Sequence, residues 1–155
     1  MSYNHTFQVR ASLQAVANFH AQSSSMAAIT PPPVRVQIQH APVSLGEGDE
    51  MAFTLWLGPF PINWLARIEA KSANGFSDRQ MRGPFKSWVH RHTFAPIDQE
   101  NTEVVDEIEY SIQKRYFWGI VGWALSKSLP ILFAYRGWKT RRILSQSIPN
   151  KIISP

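Results

Sequence analysis

Two imidazoles stand two residues apart at His90 and His92, in a run whose even positions read Trp88, His90, His92 and Phe94. Side chains alternate faces along a strand, so these four share one side while Ser87, Val89, Arg91 and Thr93 share the other. An aromatic wall with two titratable groups set into it suits a pocket for a mostly apolar molecule with a polar end. Burial disfavours the charged imidazole and a nearby carboxylate favours it, so either histidine can be held near neutrality for general acid/base chemistry. Two histidines at this spacing can also share a metal ion, with Asp106 as a third ligand. No further ligand cluster, cofactor motif or nucleophile accompanies them, so neither metal nor cofactor is expected. A carrier needs the imidazoles only as hydrogen-bond partners for its ligand, a requirement more easily met than catalysis. Binding is therefore the expected role, and a cyclase- or dehydratase-like enzyme using His90 and His92 as acid and base is the alternative.

The pair needs neighbouring strands to build a wall. The strand before supplies Phe76, Asp78 and Gln80 at matching parity, and the strand after supplies Asp106, Ile108 and Tyr110. The opposite parity would bury Phe85, Val89 and Val105. Three large aromatics outweigh one aromatic and two valines in burial preference, which favours the even face as the inner one.

From the N-terminus, His5, Phe7 and Val9 alternate with polar residues as one strand, and Ser12 can cap a short helix carrying Leu13, Val16 and Phe19. A second short helix starts among Ser23 to Ser25 and cannot outlast Thr30, because Pro31 to Pro33 lack amide donors and favour extended backbone. Strands then follow over Val34 to Gln39, Glu50 to Leu57, Ile62 to Ser72, Phe76 to Arg82, the central run after Gly83-Pro84, and Thr102 to Ile112. Asn74-Gly75 is a hairpin signal, since both residues tolerate the positive φ of tight turns. Past Ile112 the period lengthens, and with Ser128 as cap and Pro130 in the first turn a helix runs to about Ser145. Leu129, Leu132, Phe133 and Arg136 fall along one side of it. One apolar sheet face needs one cover, and this helix is the only element long enough. The expected fold is α+β: a seven-stranded curved antiparallel sheet around a long C-terminal helix, with two short helices after the first strand and a cavity between sheet and helix.

At 155 residues the chain suits a single domain over residues 1–155. It has no cysteine, so disulfides and thiolate chemistry are excluded. No secretory pattern opens the sequence, which makes the cytoplasm the expected compartment. Charge is uneven: residues 1–113 hold 8 Lys and Arg against 11 acids, a net of −3, whereas residues 114–155 hold 8 and no acid, a net of +8. Basic residues interleaved with aromatics on exposed strands are missing, so nucleic acid is not an expected partner. Arg136, Lys139, Arg141 and Arg142 lie within two turns and suit peripheral contact with an anionic membrane surface. Tyr116 to Tyr135 carries a single charge, Lys127, and looks superficially like a membrane span. Lysine at mid-span costs about 2.5–3.5 kcal/mol, so a helix buried against the sheet is the expected arrangement.

Thr30-Pro31-Pro32-Pro33, then Gly83-Pro84-Phe85 with Trp88, His90 and His92, then Thr102, Asp106 and Tyr110 together resemble a subfamily of the START/Bet v 1-like superfamily. These are ligand-binding SRPBCC domains, some fused to sugar-nucleotide epimerase-like proteins and loosely described as cell division inhibitors. The resemblance covers about Thr6 to Leu144 and implies a helix-grip fold with a deep hydrophobic pocket. It implies no particular activity, since the superfamily includes lipid carriers, hormone receptors, aromatic-ring cyclases and hydroxylase subunits.

Overall fold

The computed structural model describes residues 1–146; the remainder of the expected domain, 147–155, lies outside the described residues. Seven strands form one antiparallel sheet: β1 (Ser2–Val9), β2 (Val34–His40), β3 (Glu50–Leu57), β4 (Phe60–Ser72), β5 (Gly75–Arg82), β6 (Phe85–Pro96) and β7 (Thr102–Ile112). Their order across the sheet is β1-β7-β6-β5-β4-β3-β2. Strands β2 to β7 are therefore a meander, and the first strand returns to pair with the last. Helices α1 (Leu13–Ala21) and α2 (Ser25–Ala28) occupy the crossing from β1 to β2, and α3 (Tyr116–Gln146) packs across β1, β7 and β6. This is the helix-grip α+β arrangement.

Local chemistry accounts for the boundaries. Ser12 caps α1 by accepting from the Ala15 amide at 3.3 Å, and α2 ends before the three prolines. Alternation on β6 and β7 places Trp88, His90, Phe94, Val104, Asp106 and Ile108 in the interior, so the even-numbered side is the inner one. Phe85 also turns inward although its number is odd, because the β6–β7 register shifts between Phe85 and Ser87. A bulge inserts one residue and reverses the parity before it.

The hairpin between β4 and β5 forms one residue earlier than Asn74-Gly75 suggests. Ser72 pairs with Gly75, and the loop residues are Ala73 and Asn74. Positive φ occurs at Gly75 (149°) and at Ala70 (51°), not at Asn74. The Glu47 carboxylate fixes the Ala70 bend by accepting from the amides of Ala70 and Lys71 at 3.1 and 2.5 Å. A β-carbon on Gly75 would lie 2.0 Å from the His92 carbonyl oxygen of the neighbouring strand. Gly75→Ala is thus expected to cost roughly 3 kcal/mol through backbone displacement beside His92. Denaturant unfolding measures it, and a loss below about 0.5 kcal/mol would contradict this reading.

The C-terminal helix departs from expectation twice. It is one continuous helix from Tyr116, with Pro130 in its interior rather than in its first turn. The hydroxyls of Ser126 and Ser128 donate to the carbonyls of Trp123 and Leu125 at 2.7 and 2.8 Å, and the exposed proline ring lies on the solvent side. Leu129 and Phe133, buried on either side of Pro130, hold the helix against the sheet. Packing thus outweighs the cost of about 3 kcal/mol for an internal proline. Secondly, only one stripe is covered: Gly122, Leu129, Phe133, Gly137, Thr140 and Leu144 are buried, while the opposite side faces solvent. A helix laid over a single sheet has nothing on its outer face to cover it. Gly137 permits the approach to β1, since a β-carbon there would lie 3.2 Å from ring atoms of His5 and Phe7.

Candidate functional site

Strand register alone brings four ionisable groups together. On the inner face Asp78 of β5 pairs with His90 of β6, and His92 of β6 pairs with Asp106 of β7. The two histidines are successive inward residues, so each carboxylate also meets the other histidine along a diagonal. His90 Nε2 lies 3.0 Å from Asp106 Oδ1 and its Nδ1 lies 3.3 Å from Asp78 Oδ2. His92 Nδ1 lies 2.9 Å from Asp106 Oδ1, off the line of a hydrogen bond, and its Nε2 lies 3.4 Å from Asp78 Oδ2. The ring centroids are 3.8 Å apart. The result is a closed square of two imidazoles and two carboxylates.

Its electrostatics follow from those contacts. Burial works against charge on His92, but the two carboxylates outweigh burial and push it up to about 9, so it is an imidazolium at neutral pH. Burial would raise both carboxyls, yet the imidazoles hold Asp78 and Asp106 far below the usual carboxylate range. His20, at the end of α1, packs 5.9 Å from His92 and 5.0 Å from Phe94, with its Nδ1 2.9 Å from the Val16 carbonyl oxygen. Burial, then the charge of His92, lowers it to about 4, which leaves it neutral. From α3, Arg136 places its guanidinium 5.2 Å over the Phe133 ring, and Phe133 meets His90 edge-on at 5.3 Å. Burial lowers the Arg136 pKa and the fields of Asp106 and Asp78 raise it. Its Nε is buried without a hydrogen-bond partner.

These groups form the polar part of a cavity of about 470 Å³ between sheet and α3. Its remaining wall is mostly apolar: Met51, Phe53 and Leu55 of β3, Trp64 and Ile68 of β4, and Leu125 and Leu132 of α3. The volume lies within the range of about 300–1,000 Å³ typical of small-molecule sites. Where lining residues are themselves exposed the cavity opens, and those are Gln22, Pro32 and Pro33 between α1 and β2, and Ala124, Ser128 and Ile131 on α3.

Of the residues singled out by sequence, Phe76, Asp78, Trp88, His90, His92 and Phe133 line the cavity. Gln80, Phe94, Asp106, Ile108 and Tyr110 stand outside the lining. Gln80 bonds both backbone groups of Phe85 across the β5–β6 turn, at 2.9 and 3.3 Å, because the Gly83-Pro84 turn brings those groups beside its amide. Phe94 and Ile108 are core residues, and Tyr110 packs on Phe85 and Trp88. Asp106 acts from behind, through the histidines. Arg136, grouped by sequence with the membrane-facing cations, is instead turned into the cavity. Sequence reasoning also missed His20, Phe85 and the walls from β3 and β4. The alternation of β3 and β4 signals an inner face, but nothing local says which part of that face remains unfilled.

As for a metal, the carboxylate that converges with the two histidines as a third ligand is Asp78 rather than Asp106. One donor atom from each of Asp78, His90 and His92 lies within 4.8 Å of the others. Each of these residues is already engaged in the ion-paired square, and an ion would have to displace those contacts.

No family model and no curated protein matches the chain. Solved structures do. An aromatase/cyclase from Streptomyces aligns at TM-score 0.67 and 19% identity, over 95% of this chain and 98% of that one. A START superfamily protein from Mycobacterium smegmatis aligns at TM-score 0.67 and 9% identity, over 94% and 97%. A nucleoside-diphosphate sugar epimerase from Corynebacterium glutamicum aligns at TM-score 0.66 and 19% identity, over 92% of this chain but 29% of that one. At these identities the likeness is one of fold.

Proposed function

We propose that this chain, which has the helix-grip fold of the START/Bet v 1-like superfamily, binds a small apolar molecule with an anionic end and serves as its carrier or sensor. The observation that carries this is Arg136, a cation on the wall of a mostly apolar cavity with its Nε buried and unpartnered. No carboxylate lies within salt-bridge distance of it among the described residues. A half-buried guanidinium whose Nε lacks a hydrogen-bond partner is costly, and a ligand carboxylate, sulfonate or enolate relieves that cost. Binding of anilinonaphthalene sulfonate, compared with a neutral naphthalene of similar body, tests it. Arg136→Leu is expected to weaken the anionic probe at least about tenfold and leave the neutral one within about twofold. Equal losses for both would contradict an anion-selective site.

The reading as a cyclase- or dehydratase-like enzyme has one observation in its favour, the position of His90 and His92 on the cavity wall. Against it, both ring nitrogens of each imidazole already face carboxylates, so neither has a nitrogen directed at a ligand atom. Replacing both histidines with Gln separates the two. Retained probe binding agrees with the carrier, and retained binding with lost turnover of a ligand identified by native mass spectrometry would establish the enzyme.

The cationic end of α3 adds peripheral attraction to an anionic membrane. Lys139 and Arg142 flank the exposed Trp138 ring at 5.9 and 5.6 Å, and each basic residue near an anionic leaflet contributes about 1 kcal/mol.

A further inference from the structure

The outer face of α3 carries a second apolar stripe. Tyr116, Ile120, Trp123, Lys127, Ile131, Ala134, Trp138 and Arg141 recur at spacings of three and four, which sets them in one line along the helix. All are exposed: Tyr116 88%, Ile120 53%, Trp123 57%, Ile131 74% and Trp138 45% among the large ones. Phe117, beside the stripe, is 64% exposed. Scattered surface apolar residues need no explanation, but a continuous line of aromatic and branched side chains along one long helix marks a contact surface.

Its composition selects the occupant. Tyrosine and tryptophan with an apolar body and a polar tip suit the membrane–water interface, and a lysine in such a stripe can extend its ammonium group to the headgroups. Residues 114–146 hold seven Lys and Arg and no acid. Self-pairing about a two-fold axis would bring two such cationic helices together with no carboxylate on either to answer them. An anionic lipid surface answers both features at once.

The stripe also borders the opening of the cavity. Ala124 and Ser128, exposed members of the cavity lining, adjoin Trp123 and Lys127 in the chain, and Ile131 belongs to both surfaces. Leu57, at the end of β3, also lines the cavity, and its partner Phe60, the first residue of β4, is 70% exposed. By length and composition α3 would suffice to cross a bilayer, but its inner stripe is part of the domain core. It can therefore lie in the interface plane and not span.

From this we infer that the outer stripe of α3 inserts into the surface of an anionic membrane, so that the cavity opens onto the bilayer and exchanges its ligand there. This rests on the ligand-binding reading above and adds the route by which ligand enters. The test uses the full chain with vesicles of phosphatidylcholine alone and of phosphatidylcholine with phosphatidylglycerol, following flotation and tryptophan emission. Mixed vesicles are expected to bind the protein, shift its emission to the blue and outcompete the neutral vesicles. Ile120→Glu with Trp123→Glu, two positions outside the cavity lining, is expected to lower vesicle binding at least tenfold. Unfolding midpoint and naphthalene-probe binding in solution should remain unchanged. Loss of probe binding by the unaltered protein would undo the cavity reading, whereas vesicle binding is measured independently of it. The inference is overturned if the unaltered protein ignores anionic vesicles, if the double variant binds them as well, or if the stripe proves to hold a second copy of the chain, seen as a dimer in light scattering that the double variant dissociates.

Discussion

Replacing Asp106 with Ala is expected to remove about 3–5 kcal/mol of stability, enough to leave a domain of ordinary stability largely unfolded. The carboxylate is buried, lies within 3.0 Å of a nitrogen on each histidine, and faces an imidazolium at His92. Without it a charged ring remains in the interior with one carboxylate, Asp78 at 3.4 Å, to answer it. Asp106→Asn keeps the volume and is expected to lose somewhat less, since a neutral amide still offers an oxygen acceptor. A shift of the urea midpoint at constant slope measures both. Combining Asp106→Asn with His92→Gln should recover part of the loss, because the unpaired charge is then gone, and strictly additive effects would show that the two residues do not act as a unit.

Stability should peak near pH 6–7 and fall on both sides for different residues. His92 is raised to about 9 in the folded protein against about 6.5 unfolded, so its contribution is complete below 6.5 and lost as pH rises through 9. His20 is lowered to about 4, so its contribution is complete above 6.5 and lost as pH falls towards 4. Each limb carries roughly 3 kcal/mol at full extent. Asp78 and Asp106, both depressed, add a further loss below about pH 4, where their unfolded counterparts protonate. Accordingly His92→Gln should flatten the alkaline limb and also shrink the acid limb, because the charge of His92 helps to lower His20, Asp78 and Asp106, whereas His20→Gln should flatten only the range between 6.5 and 4. Unfolding midpoints across pH for the three proteins decide it. An alkaline limb that survives in His92→Gln would assign the titration to another group.

Much of the fold was legible because its signals are local. The alternation of Val34, Val36 and Ile38, the run from Thr102 to Ile112 and the cap at Ser12 need only neighbouring residues to be read. Asn74-Gly75 marked the hairpin correctly, with the loop one residue earlier than the pair suggests, whereas the bend at Ala70 depends on Glu47 reaching across from a distant loop and is not visible locally. One local signal misled. Pro130 suggested a helix start, but the gain from packing Leu129 and Phe133 on the sheet exceeds the proline penalty, and packing is not visible locally.

The site divides along the same line. Sequence by itself determined that Trp88, His90 and His92 share a face, and that Asp78 and Asp106 can flank them, because strand parity is a property of the backbone. Only the tertiary structure decided that the four ionisable groups close into a square, since that depends on the registers of β5 and β7 on β6. It likewise decided that Arg136 points into the cavity while Trp123 and Ile131 face solvent. A helix's sequence shows how many apolar stripes it has; which one the sheet covers depends on the β1–α3 contact that Gly137 permits.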